Sequence, residues 1–194
     1  MNTARQRQEE QELQGSGPWQ PLMVKMARSE GQAVLTVAED RAIAVSGPKP
    51  EKDVYVIEGT LPAGRHTSLR IQALPGQYPD GQSGLGRNAA DPNFVLSELH
   101  LDLLIDGEAR RQAWAESKAD FSQQGWPVAA AIDGDMKTGW AVSPRSRESH
   151  VAQFELKTPL VLAAETPVRI TLSQQYGNSL LLARFRLWKI GRAH

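Results

Sequence analysis

The sequence contains no cysteine, few aromatic residues and no excess of charge of either sign. The absence of cysteine excludes disulfides, thiolate zinc sites, iron–sulfur clusters and a cysteine nucleophile. Lysine and arginine total 22, and aspartate and glutamate also total 22. Binding to nucleic acid without sequence preference depends on surplus positive charge, so nucleic acid is not an expected partner. The same balance gives no reason to expect adhesion to an anionic membrane.

Long apolar segments are also missing. No run approaches the ~20 residues that a membrane-spanning helix needs, so membrane insertion is not expected. The first residues, MNTARQRQEEQELQ, have no apolar centre after their charges and do not form a secretory signal, so a signal for export would lie on a longer precursor. The histidines are far apart in the sequence, which argues against a histidine-rich metal site.

The sequence contains a polar N-terminal segment followed by a residue pattern typical of β-strands. Residues 1–16 form a tail or linker, helical or disordered, that ends at the helix-breaking GSGP segment. From residue 17 onward, short alternating runs are bounded by Gly, Pro or Asp, with a turn signal about every ten residues. We therefore predict an all-β fold, a β-sandwich that forms a single domain over residues 17–194.

Alternation along the runs predicts which side chains enter the core. In SLRIQAL, residues 68–74, Leu69, Ile71 and Ala73 form the buried set and Arg70 points outward. In the last run, ARFRLWKI, Lys189 shares a face with Phe185 and Leu187. One segment departs from the β pattern: DGEARRQAWAESKADFS, residues 106–122, is predicted to include a short helix with Ala113 and Trp114 on its inner face.

Residues 75–93, PGQYPDGQSGLGRNAADPN, form a long segment rich in turn residues. A loop of this length inside a compact domain is functional, stabilised by an ion, or disordered. Arg87, Asn88, Asp91 and Asn93 are concentrated where the next predicted strand, FVLSELHLDLLI (94–105), begins. These polar groups could bind an ion or a set of sugar hydroxyls. Ordinary turn stabilisation by Asn and Asp is the alternative.

Aromatic and basic residues near turns are further candidates for ligand contact. Trp126, Trp140 and Tyr176 are placed where a ring can stack on a sugar, although at least two of the three are expected in the core. Arg145 and His150 belong to SPRSRESH, residues 143–150, which is predicted to be an exposed loop. That loop is either a solvated rim or a contact for an anionic glycan.

The segment AAIDGDMKTGWAV, residues 130–142, places several oxygen donors on one turn. Asp133, Asp135 and Thr138 would supply part of the about six to eight oxygen ligands that calcium prefers. The alternative is a plain turn, capped by Asp133 and followed by a core tryptophan. Two carboxylates this close in sequence rarely reach the ~5–9.5 Å separation of a glycosidase pair. With no other catalytic motif in the chain, enzyme activity is not expected.

The same segment resembles the A-x-DG-D-x-x-T-x-W signature of discoidin-like domains, also called coagulation factor five/eight type C domains, which are galactose-binding-like β-sandwiches. From Trp19 onward the chain is similar to a module of large planctomycete-type secreted proteins that also carry cytochrome-c-like domains. The blocks that carry this similarity are VAEDRAIAVSG, DVYVIEG, SLRIQALPG, GLGRNAADPNFVLSEL, ADFSQQGWPVAAAIDGDMKTGWAV, HVAQFEL and ARFRLWKI. The resemblance implies a jelly-roll fold, with a permuted strand order as a variant because the signature lies late in this chain.

The resemblance also implies a function and a site. Asp133, Asp135 and Thr138 match the positions of a structural calcium loop, and Glu98 is similar to the family's strand-borne glutamate. The expected function is noncatalytic binding of a polysaccharide or glycan, in the periplasm or outside the cell, by a module that also contacts neighbouring domains of a larger chain. The expected ligand residues are Trp126, Tyr176, Arg87, Asn88, Asp91, Asn93, Arg145 and His150. A structural or protein-interaction domain without a small ligand is the alternative.

Overall fold

The computed structural model describes residues 19–192 and shows an all-β protein, built from two antiparallel sheets in a sandwich. The predicted fold class is confirmed. The predicted tail, residues 1–16, lies outside the described residues, so the boundary between tail and domain stays a prediction.

The strands and one short 3-10 segment follow one another along the chain. In chain order they are β1 (Trp19–Pro21), β2 (Met23–Ser29), β3 (Val34–Val37), β4 (Ile43–Ser46), β5 (Asp53–Leu61), β6 (Gly64–Leu74), β7 (Gly76–Gln77), β8 (Ser83–Gly84), β9 (Glu98–Ile105), β10 (Glu108–Arg111), β11 (Trp114–Ala119), the 3-10 segment η1 (Val128–Ile132), β12 (His150–Leu162), β13 (Thr166–Gln174) and β14 (Arg184–Arg192). The larger sheet has the order β11-β12-β6-β14-β4-β3, with β1 also pairing with β14. The smaller sheet has the order β10-β9-β13-β5-β2, and β7 pairs with β8 in a separate small hairpin.

Long strands alternate between the two sheets along the chain, as in a jelly roll. Strands β5, β9 and β13 lie in the smaller sheet, and β6, β12 and β14, which follow them in turn, lie in the larger one. The connections 75–97, 120–149 and 175–183 therefore all emerge at the same end of the sandwich. We call it the loop end. The three connections carry every candidate site residue except Glu98 and His150, which stand at the same end as the first residues of β9 and β12.

The core between the sheets has the side chains that strand alternation predicts. Leu69, Ile71 and Ala73 of β6 are buried in one apolar cluster with Tyr55 and Ile57 of β5. Successive side chains of a strand point to opposite faces, which is why every second residue of these strands is apolar.

The helix predicted within residues 106–122 is wrong, because this segment forms β10 and β11. Asp106 and Gly107 have φ values of 52° and 78°, the backbone of a two-residue hairpin turn. The turn folds β10 back against β9 as an antiparallel neighbour. Trp114 is half-buried and donates its indole N–H to the carbonyl of Leu99, whereas Ala113 is exposed. The Asp-Gly turn thus outweighs the helix propensity of the residues that follow it.

Two cationic side chains are buried in the larger sheet. Arg70 points away from the core as predicted, but the ring of Trp19 covers its guanidinium at 4.1 Å and leaves the residue only 7% exposed. Lys189 faces the core with Phe185 and Leu187, also as predicted. Its Nζ donates to Oε1 of Gln20 at 2.8 Å, and no carboxylate pairs with it among residues 19–192. Burial lowers the pKa of Lys189.

Replacing Lys189 with Met keeps the length of the side chain and removes the buried ammonium. A neutral amide does not restore the hydration that the ammonium loses on folding. We therefore expect Lys189→Met to raise the free energy of unfolding by about 1 kcal/mol, which corresponds to a melting temperature roughly 2–4 °C higher for a domain of this size. Differential scanning calorimetry measures the change, with exposed Lys157→Met as the matched control. A melting temperature that falls in Lys189→Met, or rises equally in both variants, would contradict this account.

Candidate functional site

Eight of the twelve candidate residues form two groups at the loop end, joined by one fully buried tryptophan. Trp140 and Leu96 exchange two backbone hydrogen bonds of 2.9 and 3.0 Å. The Trp140 ring meets Phe94 edge-on, with centroids 5.1 Å apart, and its Nε1 donates to the carbonyl of Phe121 at 3.0 Å. These contacts tie the 120–149 loop to the segment before β9, and the prediction that Trp140 belongs to the core is confirmed.

The first group is the acidic loop, residues 133–138, which closes on its own hydrogen bonds. Asp133 accepts the backbone N–H of Asp135 at 2.8 Å through Oδ1 and the hydroxyl of Thr138 at 2.5 Å through Oδ2. Asp135 accepts the N–H of Lys137 at 2.9 Å. Gly134 has a φ of 80°, which glycine adopts without strain. This is the plain capped turn that the sequence allows as the alternative to a metal loop.

Glu98 reaches the acidic loop from the first position of β9. Its Oε1 accepts the N–H of Gly134 at 2.5 Å, and the residue is only 3% exposed. Burial, together with the neighbouring carboxylate of Asp133, raises the pKa of Glu98 to about 7. Partial burial alone would raise the pKa of Asp133. Hydrogen bonds from the hydroxyl of Thr138 and the N–H of Asp135 outweigh this effect and lower the pKa of Asp133. Of the two acids, Glu98 is therefore the one that holds a proton below about pH 7.

The donors of this group match calcium in kind but not in number. All are oxygens, as calcium prefers, yet Glu98, Asp133 and Asp135 each use one carboxylate oxygen to accept a backbone N–H of the loop. Across residues 19–192, no group of three or more histidine or acidic side chains is placed to hold a metal ion. The about six to eight ligands of a calcium site are thus not assembled by the described side chains. Calcium at the acidic loop stays a prediction from the resemblance.

The second group is the aromatic pocket, a concave cavity of about 170 Å³ where the three long loops meet. It brings together four of the predicted ligand residues: Asp91, Asn93, Trp126 and Tyr176. The complete lining consists of Asp91, Asn93, Val95, Gln123, Trp126, Ala141, Ser143, Tyr176, Asn178 and Leu180.

The floor of the aromatic pocket is apolar and fixed by backbone hydrogen bonds. Val95, Ala141 and Leu180 form a buried cluster on which Trp126 packs. The N–H of Val95 donates to the carbonyl of Leu180 at 3.1 Å, and that of Ala141 to the carbonyl of Trp126 at 3.3 Å. The first bond joins two of the loops and the second closes the 120–149 loop on itself, while the Leu96–Trp140 pair joins that loop to the segment before β9.

Two aromatic rings form a corner of the pocket. The centroids of Trp126 and Tyr176 are 5.3 Å apart and their planes meet at 87°. Trp126 is half-buried and Tyr176 is 52% exposed, so the expectation that two of the three candidate aromatic residues are core is wrong. The corner offers ring surface to a ligand that enters from solvent.

The amide side chains of the pocket are held in a fixed orientation. Asn93 donates through Nδ2 to Oε1 of Gln123 at 2.9 Å and accepts the N–H of Val142 at 3.1 Å. Oε1 of Gln123 also accepts the N–H of Ser143 at 3.1 Å. A flipped amide would set an NH₂ group against that N–H donor, so Nε2 of Gln123 is the atom left for a ligand. Asn93 serves to position Gln123.

The other predicted ligand residues do not line the pocket. Arg87 donates to the carbonyls of Gly47 and Pro48 at 2.9 and 2.7 Å and so joins two loops. Asn88 donates to the carbonyl of Asn178 at 3.0 Å and supports the rim from behind.

The segment 143–150 is exposed only in part: Pro144 and residues 147–149 lie at the surface, whereas Ser146 and His150 are buried. His150 is fully buried, with Nδ1 3.1 Å from Oδ2 of Asp120 and Nε2 2.8 Å from the carbonyl of Arg145. Arg145 lies over the ring of Phe121 at 5.0 Å and pairs with Glu148 at 2.9 Å. A fully buried imidazole with both nitrogens engaged is part of the framework, so the assignment of His150 as a ligand residue is wrong.

Three polar residues of the pocket escaped sequence reasoning: Gln123, Ser143 and Asn178. A signal was present for two of them. Gln123 precedes a Gly-Trp pair in QQGW, and Asn178 follows Tyr176 in a turn where its φ is 56°. A search for polar residues within three positions of an aromatic residue in a turn would have found Gln123 and Asn178.

Comparison with protein-family models and with curated proteins finds no match for this chain. Among the described residues, no helix is long and apolar enough to cross a membrane.

The raised pKa of Glu98 predicts a stability that depends on pH. In the folded protein Glu98 holds its proton up to about pH 7, whereas the ordinary value for a glutamate is 4.5. Between these values the folded state binds the extra proton, so the free energy of unfolding falls as the pH rises from about 5 to about 7. Glu98→Gln keeps an oxygen acceptor for Gly134 but cannot ionise, and we expect its melting temperature to depend less on pH.

Melting curves of both proteins between pH 5 and pH 8, with a chelator present, measure this difference. Glu116→Gln, an exposed acid of β11, is the matched control and should follow the wild type at every pH. Parallel curves for the wild type and Glu98→Gln would show that Glu98 does not carry the extra proton.

Proposed function

We propose that this chain is a noncatalytic carbohydrate-binding module of the discoidin-like, galactose-binding-like kind, part of a larger exported protein. The observation that carries the proposal is the aromatic pocket, in which a corner of two rings stands beside polar groups fixed by the backbone. A pyranose has an apolar face and a rim of hydroxyl groups, and this combination of surfaces is complementary to both.

The polar lining suits hydroxyl groups because it offers both donors and acceptors. Nε2 of Gln123 donates, the carboxylate of Asp91 accepts, and the hydroxyls of Ser143 and Tyr176 do either. A sugar hydroxyl is itself donor and acceptor, so it can pair with any of these groups.

We propose binding without catalysis because of the number of acidic side chains that line the pocket. Its lining among the described residues holds a single carboxylate, Asp91. Most glycoside hydrolases need a pair of carboxyl groups that flank the scissile bond. One acid on one wall supports binding without cleavage.

A second candidate function is protein interaction, and it is favoured by a different surface. Met23, Met26, Val34 and Val37 are exposed by 40–54% on β2 and β3. These are the edge strands of the two sheets, on the same side of the sandwich. Edge strands with exposed apolar side chains are able to pair with or pack against another chain, including a neighbouring domain.

Loss of either ring is expected to weaken glycan binding. We expect Trp126→Ala and Tyr176→Ala to reduce the affinity for the best ligand on a glycan array by about tenfold each, since each removes apolar contact with the sugar face. Isothermal titration calorimetry measures the affinities, and Trp188→Ala, which removes a ring from the outer face of the larger sheet, is the control.

Two results would contradict the proposal. Failure of the wild type to bind any glycan would favour the interaction surface on β2 and β3. Release of sugar from a polymer by the wild type would show a catalytic activity.

The structural calcium implied by the resemblance is tested separately. If calcium binds the acidic loop, the melting temperature rises with calcium concentration, because a ligand at ~100 times its Kd stabilises by about 2.7 kcal/mol. Asp133→Asn should abolish the rise, and magnesium at the same concentration is the control for ionic strength. A melting temperature that does not respond to calcium would leave the loop as the capped turn that its hydrogen bonds already form.

A further inference from the structure

We propose that the aromatic pocket selects a terminal sugar residue that carries a free amino group, with the Asp91 carboxylate as the partner of the ammonium. This inference deepens the proposed carbohydrate binding and rests on it. It follows from the size of the pocket, from the charge of its lining and from the Asp91 carboxylate, which has no hydrogen-bond or ion-pair partner within residues 19–192.

The size of the cavity limits the ligand to one ring. Its volume of about 170 Å³ is below the ~300 Å³ at which pockets for drug-sized ligands begin. The floor of Val95, Ala141 and Leu180 closes it from below. A sugar chain therefore enters by its end, and the pocket contacts the terminal residue.

The charge of the lining is negative. Asp91 is the one charged side chain among the described lining residues, and its carboxylate makes no hydrogen bond or ion pair within residues 19–192. A second carboxylate stands behind the rim, where Glu51 accepts the N–H of Asn178 at 2.8 Å. Arg87, the nearest basic residue in sequence to Asp91, directs its guanidinium to the carbonyls of Gly47 and Pro48.

An ammonium satisfies both features of the pocket at once. The carboxylate of Asp91 accepts a charge-assisted hydrogen bond, which is roughly twice as strong as a neutral one. The corner of Trp126 and Tyr176 adds a second attraction, because aromatic ring faces attract cations. A uronic acid, by contrast, would bring a second negative charge against Asp91. The pocket thus ranks terminal sugars by charge, with the aminosugar first and the uronic acid last.

The test compares four methyl glycosides that share one ring: glucosaminide, N-acetylglucosaminide, glucoside and glucuronide. At pH 6 and low salt, we expect the glucosaminide to bind about tenfold more tightly than the glucoside. Acetylation removes the ammonium and should remove most of this advantage, and the glucuronide should bind most weakly. High salt should reduce the differences in affinity among the four glycosides, since the proposed selection is electrostatic.

The matched variants are Asp91→Asn and Glu165→Gln. Asp91→Asn should bring the glucosaminide-to-glucoside ratio close to one. Glu165→Gln removes the same charge from the exposed β12–β13 turn at the other end of the sandwich and should leave the ratio as in the wild type. The comparison of ligands on the wild-type protein needs no variant, so it stands even if Asp91→Asn folds poorly.

The outcomes separate this inference from the proposed function. Equal affinity of the wild type for the glucosaminide and the glucoside, with both weakened by Trp126→Ala, would overturn the selection for an amine and leave carbohydrate binding in place. Absence of binding to all four glycosides and to the glycan array would overturn both. A preference for the glucosaminide that survives Asp91→Asn would overturn the role of that carboxylate.

Discussion

The reciprocal backbone pair between Leu96 and Trp140 is the contact on which both candidate sites depend. It fixes the 120–149 loop to the segment that enters β9, and the buried indole fills the space beneath. Thr138, two residues before Trp140, closes the acidic loop, and Ala141, the next residue after it, enters the floor of the aromatic pocket. One tryptophan therefore sets the position of a polar turn on one side and of a concave surface on the other.

The jelly-roll connectivity explains why such a contact is needed. Because successive long strands cross between the sheets, the three longest connections are gathered at one end. Buried backbone groups must find hydrogen-bond partners, and these loops find several of theirs in one another. The pairs Val95–Leu180 and Leu96–Trp140 join the loops in this way, and together they position the floor of the pocket.

Structural features that depend on the alternation of apolar and polar residues within one strand are predictable from the sequence. The inward face of β6 and the inward Lys189 follow from a period of two residues. The hairpin at Asp106 is equally local, because an Asp-Gly pair between two strand-forming runs is a signal for a two-residue turn, and it is this signal that corrects the predicted helix. The nature of the pocket is partly predictable, since the residue types and the turn context of Asp91, Asn93, Trp126 and Tyr176 indicate ligand contact.

What could not be predicted depends on pairs that are distant in sequence. The burial of His150 follows from Asp120, 30 residues earlier, and no local pattern distinguishes this imidazole from an exposed one. The orientation of Gln123 is set by the backbone N–H of Ser143, 20 residues later. Such contacts form only when the strands between them have found their register.

The rigidity of the pocket also bears on how a module of this kind would be used. Its floor and its Gln123 amide are held by the protein itself, so a ligand does not have to order the loops on binding. One sugar ring, however, has few atoms with which to make contacts, and ligand efficiency bounds the affinity of a single small site. Affinity for a polymer surface then grows by presenting several sites on one chain, because the second contact becomes intramolecular. The proposed pocket for a single terminal sugar residue would therefore suit a module that acts beside other binding domains, and the exposed apolar edge of β2 and β3 is a surface against which such a proposed neighbour could pack.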